Sequence, residues 1–325
     1  MIEKPRYILL PLTGILKDKS LWLEGQVLHQ RNHHTPVPAD ESHWKNIIRI
    51  ISAYLPGNMK SGLLEINISG MHRTLALTHN GFFKIKIDNL ALNETVPKPH
   101  YHFIRNHHRH IVHIPDHYFR EIYSYNGFTT GIISDIDDTI LVSHAKSYIK
   151  RARQLLIKNG YRRKAVNQMS EMYRMLHEKN IRMFYVSNSE ANLYPMIHLF
   201  LIHHGFPEGP VFLKPYKKWK DFLQHRERAS STKHKKEKIQ NILSVFHDKN
   251  FILIGDDSQK DPEVYSEIAR LYPKRVKAIF IRKTNSRVQP KTDKIPERLS
   301  SESPVSFTFF ENPVNLKAIF DLTDI

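Results

Sequence analysis

Carboxylates cluster directly after an apolar run in residues 131–141, which read GIISDIDDTIL. The run is typical of a buried parallel strand, and open α/β sheets bind ligands beyond the carboxyl ends of such strands. The segment therefore predicts a strand that delivers Asp135 and Asp137 into a crevice, where carboxylates can bind a hard cation or move protons. The alternative at this point is an acidic turn that caps the next helix, because Asp and Thr favour turns and N-caps.

Three later segments also bring polar or charged side chains to the ends of predicted elements. They are Ser187 with Asn188, a basic stretch around Lys235, and Asp256 with Asp257. Each has an ordinary explanation as a helix cap, a surface charge or a turn residue. Because the carboxyl ends of parallel strands meet at one edge of a sheet, we expect all of them to converge with Asp135 and Asp137.

The elements that must position these residues alternate between strand and helix patterns after residue 128. Beyond the strand before Asp135, strands are predicted over 182–189, 211–214, 251–257, 275–282 and 306–310. Helices are predicted over 144–158, 165–179, 193–205, 262–272 and 313–321, with a basic loop and helix over 216–238 and a surface loop over 284–304. This alternation is typical of βαβ units. The predicted fold class is therefore α/β, with a Rossmann-like parallel sheet over 129–325.

Residues 1–128 instead look β-rich. Strands are predicted over 21–30, 63–69, 73–79 and 82–88, with Asn80-Gly81 as a hairpin turn between the last two, and a helix is predicted over 38–55. The pattern predicts a small sandwich-like domain ahead of the parallel sheet. The histidine-rich segment 102–118 is interpreted as a polar-faced strand or loop, since no Cys or nearby Glu completes a metal site.

The composition limits the cellular compartments and the classes of binding partner to be expected. The chain has 325 residues, enough for about two domains, and a formal net charge of +17. That excess predicts affinity for polyanions, which include nucleic acid, anionic lipid surfaces and phosphorylated substrates. The absence of cysteines excludes disulfides and thiolate metal sites and fits a reducing, cytoplasmic compartment. The N-terminus lacks a signal-peptide pattern, and no run approaches the ~20 apolar residues that span a bilayer.

Taken together, the strand-end residues resemble the haloacid dehalogenase superfamily of aspartate-nucleophile phosphotransferases. Its signature is DxDxT, a Ser or Thr after a strand, a Lys, and a strand ending in GD. The matches here are DIDDT at 135–139, Ser187, a Lys in HKKEK, and Gly255-Asp256. The segments SDIDDTI, FYVSNS, GFPEGPVFL and GDDSQKDPEVY look more closely like the actin-patch-type phosphatidate phosphatase family, of which lipins are distant kin. The resemblance covers roughly residues 128–282, and a preceding β domain also fits it.

The resemblance implies a haloacid dehalogenase fold with a sparse cap and a magnesium-dependent phosphatase that forms an aspartyl-phosphate. Asp135 would be the nucleophile and Asp137 the acid/base. Mg²⁺ would be bound by Asp135, Asp256 and the backbone carbonyl of Asp137. The remaining roles would be phosphate binding by Ser187, Asn188 and Lys235, and support of the metal waters or the lysine by Asp257 and Asp261.

Two departures from the family pattern are Glu190-Ala191, where the family has Pro-Trp, and Asp257-Ser258, where it has Ser-Gly. The first bears on substrate access and the second on the environment of the metal. Lys233 and Lys236 compete with Lys235 for the phosphate-binding role, because the HKKEK run holds several lysines.

The implied substrate is phosphatidate or a similar lipid phosphate monoester. About 45 residues separate the first two motifs, which leaves room for two helices but no large cap, and an open site suits a headgroup presented at a membrane. Basic residues over 146–164 and 214–220 fit either peripheral contact with an anionic bilayer or an ordinary solvated basic face. Two alternatives stay open: the same chemistry on a soluble or nucleic-acid-end phosphate ester, and a non-catalytic module that binds anionic lipid. The sequence does not predict an oligomeric state.

Overall fold

The structure, a computed structural model, describes residues 7–29, 62–77, 80–91, 96–114, 121–141, 165–166, 168–215, 227–258, 260–284 and 295–311. The chain divides into two compact units. The first comprises residues 1–126, 189–199 and 213–223, and the second comprises 127–188, 200–212 and 224–325. The helices predicted over 38–55, 144–158 and 313–321 and the basic segment 146–164 lie outside the described residues.

The first unit contains one eight-stranded sheet among its described residues. Its strands are β1 (Tyr7–Lys17), β2 (Ser20–His29), β3 (Leu63–Ile68), β4 (Met71–Ala76), β5 (Phe82–Ile87), β6 (His100–Arg105), β7 (His108–His113) and β8 (Tyr123–Ser124). They are hydrogen-bonded in the order β4-β3-β6-β7-β1-β2-β5, with β8 added to β1. The pairs are antiparallel, except that β1 is parallel to β7 and to β8.

This sheet curls around its own apolar core. Strands β5 and β6 are separated by three strands in the sheet order, yet the ring centroids of Phe83 and Tyr101 lie 6.3 Å apart. Buried residues from both ends of the sheet, such as Leu64 of β3 and Ile87 of β5, belong to one core cluster. One continuous sheet therefore supplies both walls of the core in this β-rich unit.

The predicted hairpin around Asn80-Gly81 is wrong. The preceding strand, β4, pairs with β3 across Ser69-Gly70, whose φ values of 47° and 75° fit a two-residue hairpin turn. Strand β5 pairs with β2 instead, and the carbonyl oxygen of Gly81 accepts a hydrogen bond from Val27 N. A turn signal fixes local backbone geometry, whereas the partner strand is chosen by the apolar face that becomes buried.

Strand β1 is not evident in the sequence, because Pro11 and Gly14 interrupt its apolar run. The register against β2 shifts between Pro11 and Thr13, so the proline, which has no N–H to donate, lies at a β-bulge. Gly14 is required by close packing, since a Cβ at this position would lie 1.9 Å from the carbonyl oxygen of Glu121. Pro11 and Gly14 thus lie at positions of β1 where a missing N–H or a missing side chain suits the sheet.

The histidine-rich segment contributes the hairpin β6–β7, with Asn106-His107 in the turn at positive φ. The structure also corrects one premise of the sequence analysis, because an acid does lie nearby: Glu65 of β3 is opposite His102. The guanidinium of Arg109 donates to this carboxylate at 2.7 Å. Glu65 is therefore paired with a protein cation, which agrees with the interpretation as a polar-faced strand.

Six further strands form a parallel sheet. They are β9 (Thr130–Ser134), β10 (Arg182–Glu190), β11 (Val211–Lys214), β12 (Asn250–Asp256), β13 (Val276–Arg282) and β14 (Ser306–Phe310), in the order β11-β10-β9-β12-β13-β14. The helices are α1 (Met169–Glu178), α2 (Tyr194–His203), α3 (Glu227–Val245), α4 (Asp261–Leu271) and α5 (Ile295–Glu302), with a 3₁₀ turn at Ala191–Leu193. The predicted α/β class with a parallel sheet is confirmed.

One helix was expected to be loop. Helix α5 lies within the serine-rich and lysine-rich segment 284–304, where it buries Leu299. A single buried leucine gives too weak a periodicity to be recognised in the sequence. Among the described residues, every helix is too short or too polar to cross a lipid bilayer.

The strand order fixes where a site can form. Strand β9 lies between β10 and β12, so the chain leaves β9 on one side and later returns on the other. Such a reversal opens a crevice beyond the carboxyl ends of the strands. All five residues of β9 and six of the seven in β12 are buried, which accounts for their apolar sequences.

We expect the buried Glu121 to make stability fall as pH rises. Its carboxylate accepts a hydrogen bond from Tyr101 Oη, and burial raises the pKa of Glu121 from 4.5 to about 7. The folded state therefore holds this proton more tightly than the unfolded state, and stability is lost as pH rises from 4.5 to about 7. The variant Glu121→Gln cannot ionise, so it should be more stable than wild type at pH 8 by on the order of 2 kcal/mol.

Urea titrations at pH 4 and pH 8 measure this difference, and titrations of other groups cancel because both proteins contain them. Parallel dependences of the unfolding free energy on pH for wild type and Glu121→Gln would contradict the expectation.

Candidate active site

The site is built where β9 and β12 end side by side. These strands pair in parallel with Ser134 opposite Ile254, and Asp135 N donates to the carbonyl oxygen of Ile254 at 2.9 Å. Asp135 follows the last residue of β9, and Asp256 is the last residue of β12. Both carboxylates are fully buried. Strand pairing therefore sets the two acids next to each other, as the strand-end argument predicts.

Three carboxylates form a compact group. Asp135, Asp256 and Asp261 each offer one oxygen, and these oxygens lie within 4.8 Å of one another. Asp261 is the first residue of α4, and its Oδ2 accepts a hydrogen bond from Asp256 N at 3.4 Å. Gly255 makes this approach possible, because a Cβ there would lie 2.5 Å from Asp261 Oδ2. The glycine before Asp256 at the end of β12 is thus required for steric reasons.

Lys235 supplies the cation of this group. Its Nζ donates to Asp135 Oδ1 at 2.7 Å and to Asp261 Oδ1 at 2.5 Å, and its side chain is 1% exposed. The rival lysines point elsewhere: Lys233 is exposed and lies near Glu237, and Lys236 pairs with Glu267 at the surface. Among the three candidates, Lys235 alone is buried against the predicted nucleophile.

The electrostatics of the group are dominated by burial. Burial raises the pKa of Asp135 well above its ordinary value, with the attraction of Lys235 opposing and the charges of Asp261 and Asp256 reinforcing the rise. Burial, followed by the charge of Asp261, raises the pKa of Asp256 to about 7. Burial alone would lower the pKa of Lys235, but Asp135 and Asp261 outweigh it, so the pKa lies above its ordinary value. One ammonium thus faces three carboxylates, and a further cation would be stabilised there.

Asp137 lies at the edge of the group. Its Oδ2 accepts a hydrogen bond from Ser187 Oγ at 3.0 Å, and it is half-buried whereas Ser187 is fully buried. Its carboxylate is absent from the three-carboxylate group, in which Asp261 appears instead. The metal ligand predicted from Asp137 is its backbone carbonyl, and that role stays a prediction. Asn188 follows Ser187 on β10 and is half-buried.

Asp257 has a partner outside the carboxylate group. Its Oδ1 accepts hydrogen bonds from the backbone N–H of Thr284 at 2.8 Å and from the Thr284 hydroxyl at 2.6 Å. The neighbouring Ser258 donates from its backbone N–H to Asp256 Oδ1 at 2.6 Å. Asp257 therefore fixes Thr284, two residues after β13, while Ser258 orients the carboxylate of Asp256.

Sequence reasoning missed two residues at this edge. Tyr173 of α1 shares a 2.7 Å hydrogen bond with Ser134 Oγ, which supports the end of β9. Arg282, the last residue of β13, donates from Nη1 to the backbone carbonyl of Asp138 at 2.6 Å. The strand-end rule could have found Arg282, whereas Tyr173 reads as an ordinary core residue of an amphipathic helix.

The segment that holds the site matches a known family. Residues 130–283 match the model described as the catalytic domain of phosphatidate phosphatase APP1. These residues belong to that family. The site residues from Asp135 to Asp261 all lie inside the match, and Arg282 lies at its last but one position.

Two curated fungal proteins each match about half of this chain. Phosphatidate phosphatase APP1 of Saccharomyces cerevisiae is 33% identical over 153 residues, and an uncharacterised protein of Schizosaccharomyces pombe is 25% identical over 153 residues. In each case the match covers 47% of this chain and 25% of the relative. The match therefore spans about a quarter of the length of these relatives.

Two solved structures match with low TM-scores. A class C acid phosphatase from Bacillus anthracis with tungstate bound has a TM-score of 0.31 and 18% identity, covering 53% of this chain and 80% of the other. A carbohydrate acetylesterase from Xanthomonas citri has a TM-score of 0.25 and 8% identity, covering 91% and 66%.

We expect Lys235→Met to lower the unfolding free energy of the second compact unit strongly. The substitution keeps the aliphatic volume but leaves three buried carboxylates without their ammonium, a loss that costs about 3 kcal/mol or more when a buried pair is broken. The matched control is Lys236→Met, which breaks a surface pair with Glu267 and should cost less than about 1 kcal/mol. Urea denaturation of both variants compares the costs, and similar losses for the two lysines would show that Lys235 does not hold the group together.

Proposed function

We propose that this protein is a magnesium-dependent phosphohydrolase that hydrolyses phosphatidate or a similar lipid phosphate monoester through an aspartyl-phosphate on Asp135. The observation that carries the proposal is the buried contact of Lys235 with Asp135 and Asp261, inside a segment that belongs to a phosphatidate phosphatase catalytic-domain family. A parallel sheet that reverses direction at β9, with the acids at its carboxyl edge, supports a haloacid dehalogenase fold.

The residues present fit a hard divalent cation. Asp256 Oδ2 is buried and accepts no hydrogen bond from the residues that the structure describes. An unsatisfied buried carboxylate oxygen is costly, and three carboxylates exceed the charge of one lysine. The carboxylates of Asp135 and Asp256 and the backbone carbonyl of Asp137 would hold Mg²⁺, which prefers oxygen ligands. When bound, the ion would reduce the repulsion between an anionic nucleophile and an anionic phosphate.

Asp135 is the nucleophile. Lys235 holds one carboxylate oxygen at 2.7 Å, and the Thr139 hydroxyl approaches the other at 3.4 Å, so the carboxylate is fixed in direction. In the first step an Asp135 oxygen forms a bond to phosphorus while the bond from phosphorus to the leaving oxygen breaks. Lys235 also balances charge that spreads over the phosphoryl oxygens.

Asp137 moves the protons of both steps. Two residues beyond the nucleophile, it is half-buried and can reach the leaving group from the edge of the crevice. It donates a proton to the departing alcohol and then accepts one from the water that attacks the aspartyl-phosphate, which releases phosphate and restores Asp135. The hydroxyl of Ser187, 3.0 Å from Asp137 Oδ2, and the amide of Asn188 bind phosphoryl oxygens.

The lipid substrate is the finer part of the proposal. It rests on the family of the domain and on the short span between the DIDDT and Ser187 motifs, which leaves no room for a large cap. The net charge of +17 supports work at an anionic membrane surface in the cytoplasm.

We expect Asp135→Asn to lower Mg²⁺-dependent phosphate release from phosphatidate by at least about 10³-fold, because an amide cannot attack phosphorus. Asp248→Asn is the matched control: it neutralises a surface carboxylate paired with Lys249 and should leave release unchanged. Removing divalent ions with EDTA should stop release, and Mg²⁺ should restore it. Undiminished Mg²⁺-dependent release by Asp135→Asn would refute the proposal.

A substrate comparison tests the lipid assignment. Phosphatidate in mixed micelles should give a kcat/KM at least about 10-fold above glucose 6-phosphate and a 3′-phosphorylated oligonucleotide, since a difference of 1.4 kcal/mol in transition-state binding corresponds to tenfold. A higher value for the sugar phosphate or the oligonucleotide would replace the lipid by that substrate class. Binding to anionic vesicles without turnover of any ester would favour a non-catalytic module.

A further inference from the structure

Arg282 brings a second cation to the edge of the site. It ends β13, where it is opposite Asp256 in the parallel register. Its Nη1 donates to the backbone carbonyl of Asp138 at 2.6 Å. The contact joins residues 144 positions apart, so it forms only when β9 and β13 are both in place. Arg282 thus reaches across β12 to the turn that follows the proposed nucleophile.

The carbonyl that Arg282 binds belongs to a strained turn. Asp138 has a φ of 60°, in the left-handed region that non-glycine residues rarely adopt. The turn is held at three points: Asp138 N donates to Leu141 O at 2.8 Å, Ser258 Oγ donates to Asp138 Oδ2 at 3.3 Å, and Arg282 binds the carbonyl. A strained backbone persists where its surroundings over-determine it. Asp137 directly precedes this residue, so these three contacts fix its backbone, while the hydroxyl of Ser187 donates to its carboxylate.

The backbone of Arg282 is itself held firmly. Strand β13 pairs with β12 on one side and β14 on the other, and Asp257 N donates to the carbonyl oxygen of Arg282 at 3.1 Å. The side chain is half-buried, and its Nε is buried without an acceptor among the described residues. An unsatisfied buried donor costs stability. A charged guanidinium that is present despite this cost in stability indicates a role in the site rather than a role in packing.

We propose that Arg282 is a positioning residue for proton transfer: by clamping the carbonyl of Asp138 it aims the carboxylate of Asp137 at the leaving oxygen. The inference rests on the proposed function, in which Asp137 protonates the departing alcohol. Arg282 touches neither substrate nor the reacting atoms in this assignment. Its effect should therefore depend on how much the leaving group needs a proton.

That dependence gives the test. An alkoxide is a poor leaving group and needs protonation, whereas p-nitrophenolate leaves readily without it. We expect Arg282→Met to lower kcat/KM for dioctanoyl phosphatidate by about 10²-fold, the loss typical of a misplaced acid/base. The kcat/KM for p-nitrophenyl phosphate should fall by no more than about 3-fold, because this parameter reports only the steps through formation of the aspartyl-phosphate.

A burst measurement separates the second step. Asp137 also activates water for breakdown of the aspartyl-phosphate, so Arg282→Met should release a rapid burst of p-nitrophenol, about one per enzyme, before a slow steady state. The matched control is Lys283→Met, which removes the neighbouring charge over the Phe309 ring, outside the site, and should behave as wild type. Guanidinium ion at millimolar concentration should restore part of the lost activity to Arg282→Ala.

Equal losses for the two substrates, or no rescue by guanidinium, would overturn the positioning role. If Arg282→Met does not fold, Arg282→Lys carries the same comparison, because it keeps the charge but not the planar donor pair. Wild-type enzyme that releases phosphate from neither ester would instead overturn the proposed function, so the two failures are distinguishable.

Discussion

The site depends on one buried ammonium. Lys235 lies between Asp135 and Asp261, while a third carboxylate, that of Asp256, lies within 4.8 Å of both. Two unit charges at that separation repel by about 3 kcal/mol at an effective dielectric constant of about 20. Without the lysine, the acids would have to take up protons or move apart. With it, one oxygen of Asp135 is held in a fixed direction, which is what a nucleophile requires.

The opposite end of the sheet supplies the rigidity that this arrangement needs. Four phenylalanines, with ring centroids 5.3 to 6.5 Å apart in their contacting pairs, pack around the amino-terminal ends of β9, β10 and β12. They are Phe128, Phe184, Phe246 and Phe251. Gly131 makes room for them, since a Cβ there would lie 2.8 Å from the Phe251 ring. Apolar packing at one end thus offsets the cost of concentrating charge at the other.

The features that follow from where parallel strands end were predictable from the sequence. Those that depend on which distant strands pair, or on which faces are buried, were not. Asp135 and Asp256 converge because parallel strands share an edge, a rule that needs no knowledge of packing. Selecting Lys235 over Lys233 and Lys236 requires knowing which face of α3 is buried, and the sequence pointed to it only through family resemblance. The partner of β5 depends on which faces the curled sheet buries, which Asn80-Gly81 could not reveal. The strand-end rule could have placed Arg282 at this edge, but not its contact with Asp138, because a bond to a backbone carbonyl leaves no pattern in side-chain identities.

The departure from the family pattern after β12 has a structural explanation. Where the family has Ser-Gly, Asp257 binds Thr284, two residues after β13, and Ser258 binds both Asp256 and Asp138. The residues that directly follow β9, β12 and β13 are therefore joined by side chains that a Ser-Gly pair could not fully supply, since glycine offers no hydroxyl. The side chains of Asp257 and Ser258 make the contacts with Thr284 and Asp138. Asp256 is instead oriented by the backbone N–H of Ser258, a donor that glycine also has. The contact that orients the proposed metal ligand is thus independent of the departure, whereas the contacts that Asp257 and Ser258 make with Thr284 and Asp138 depend on it.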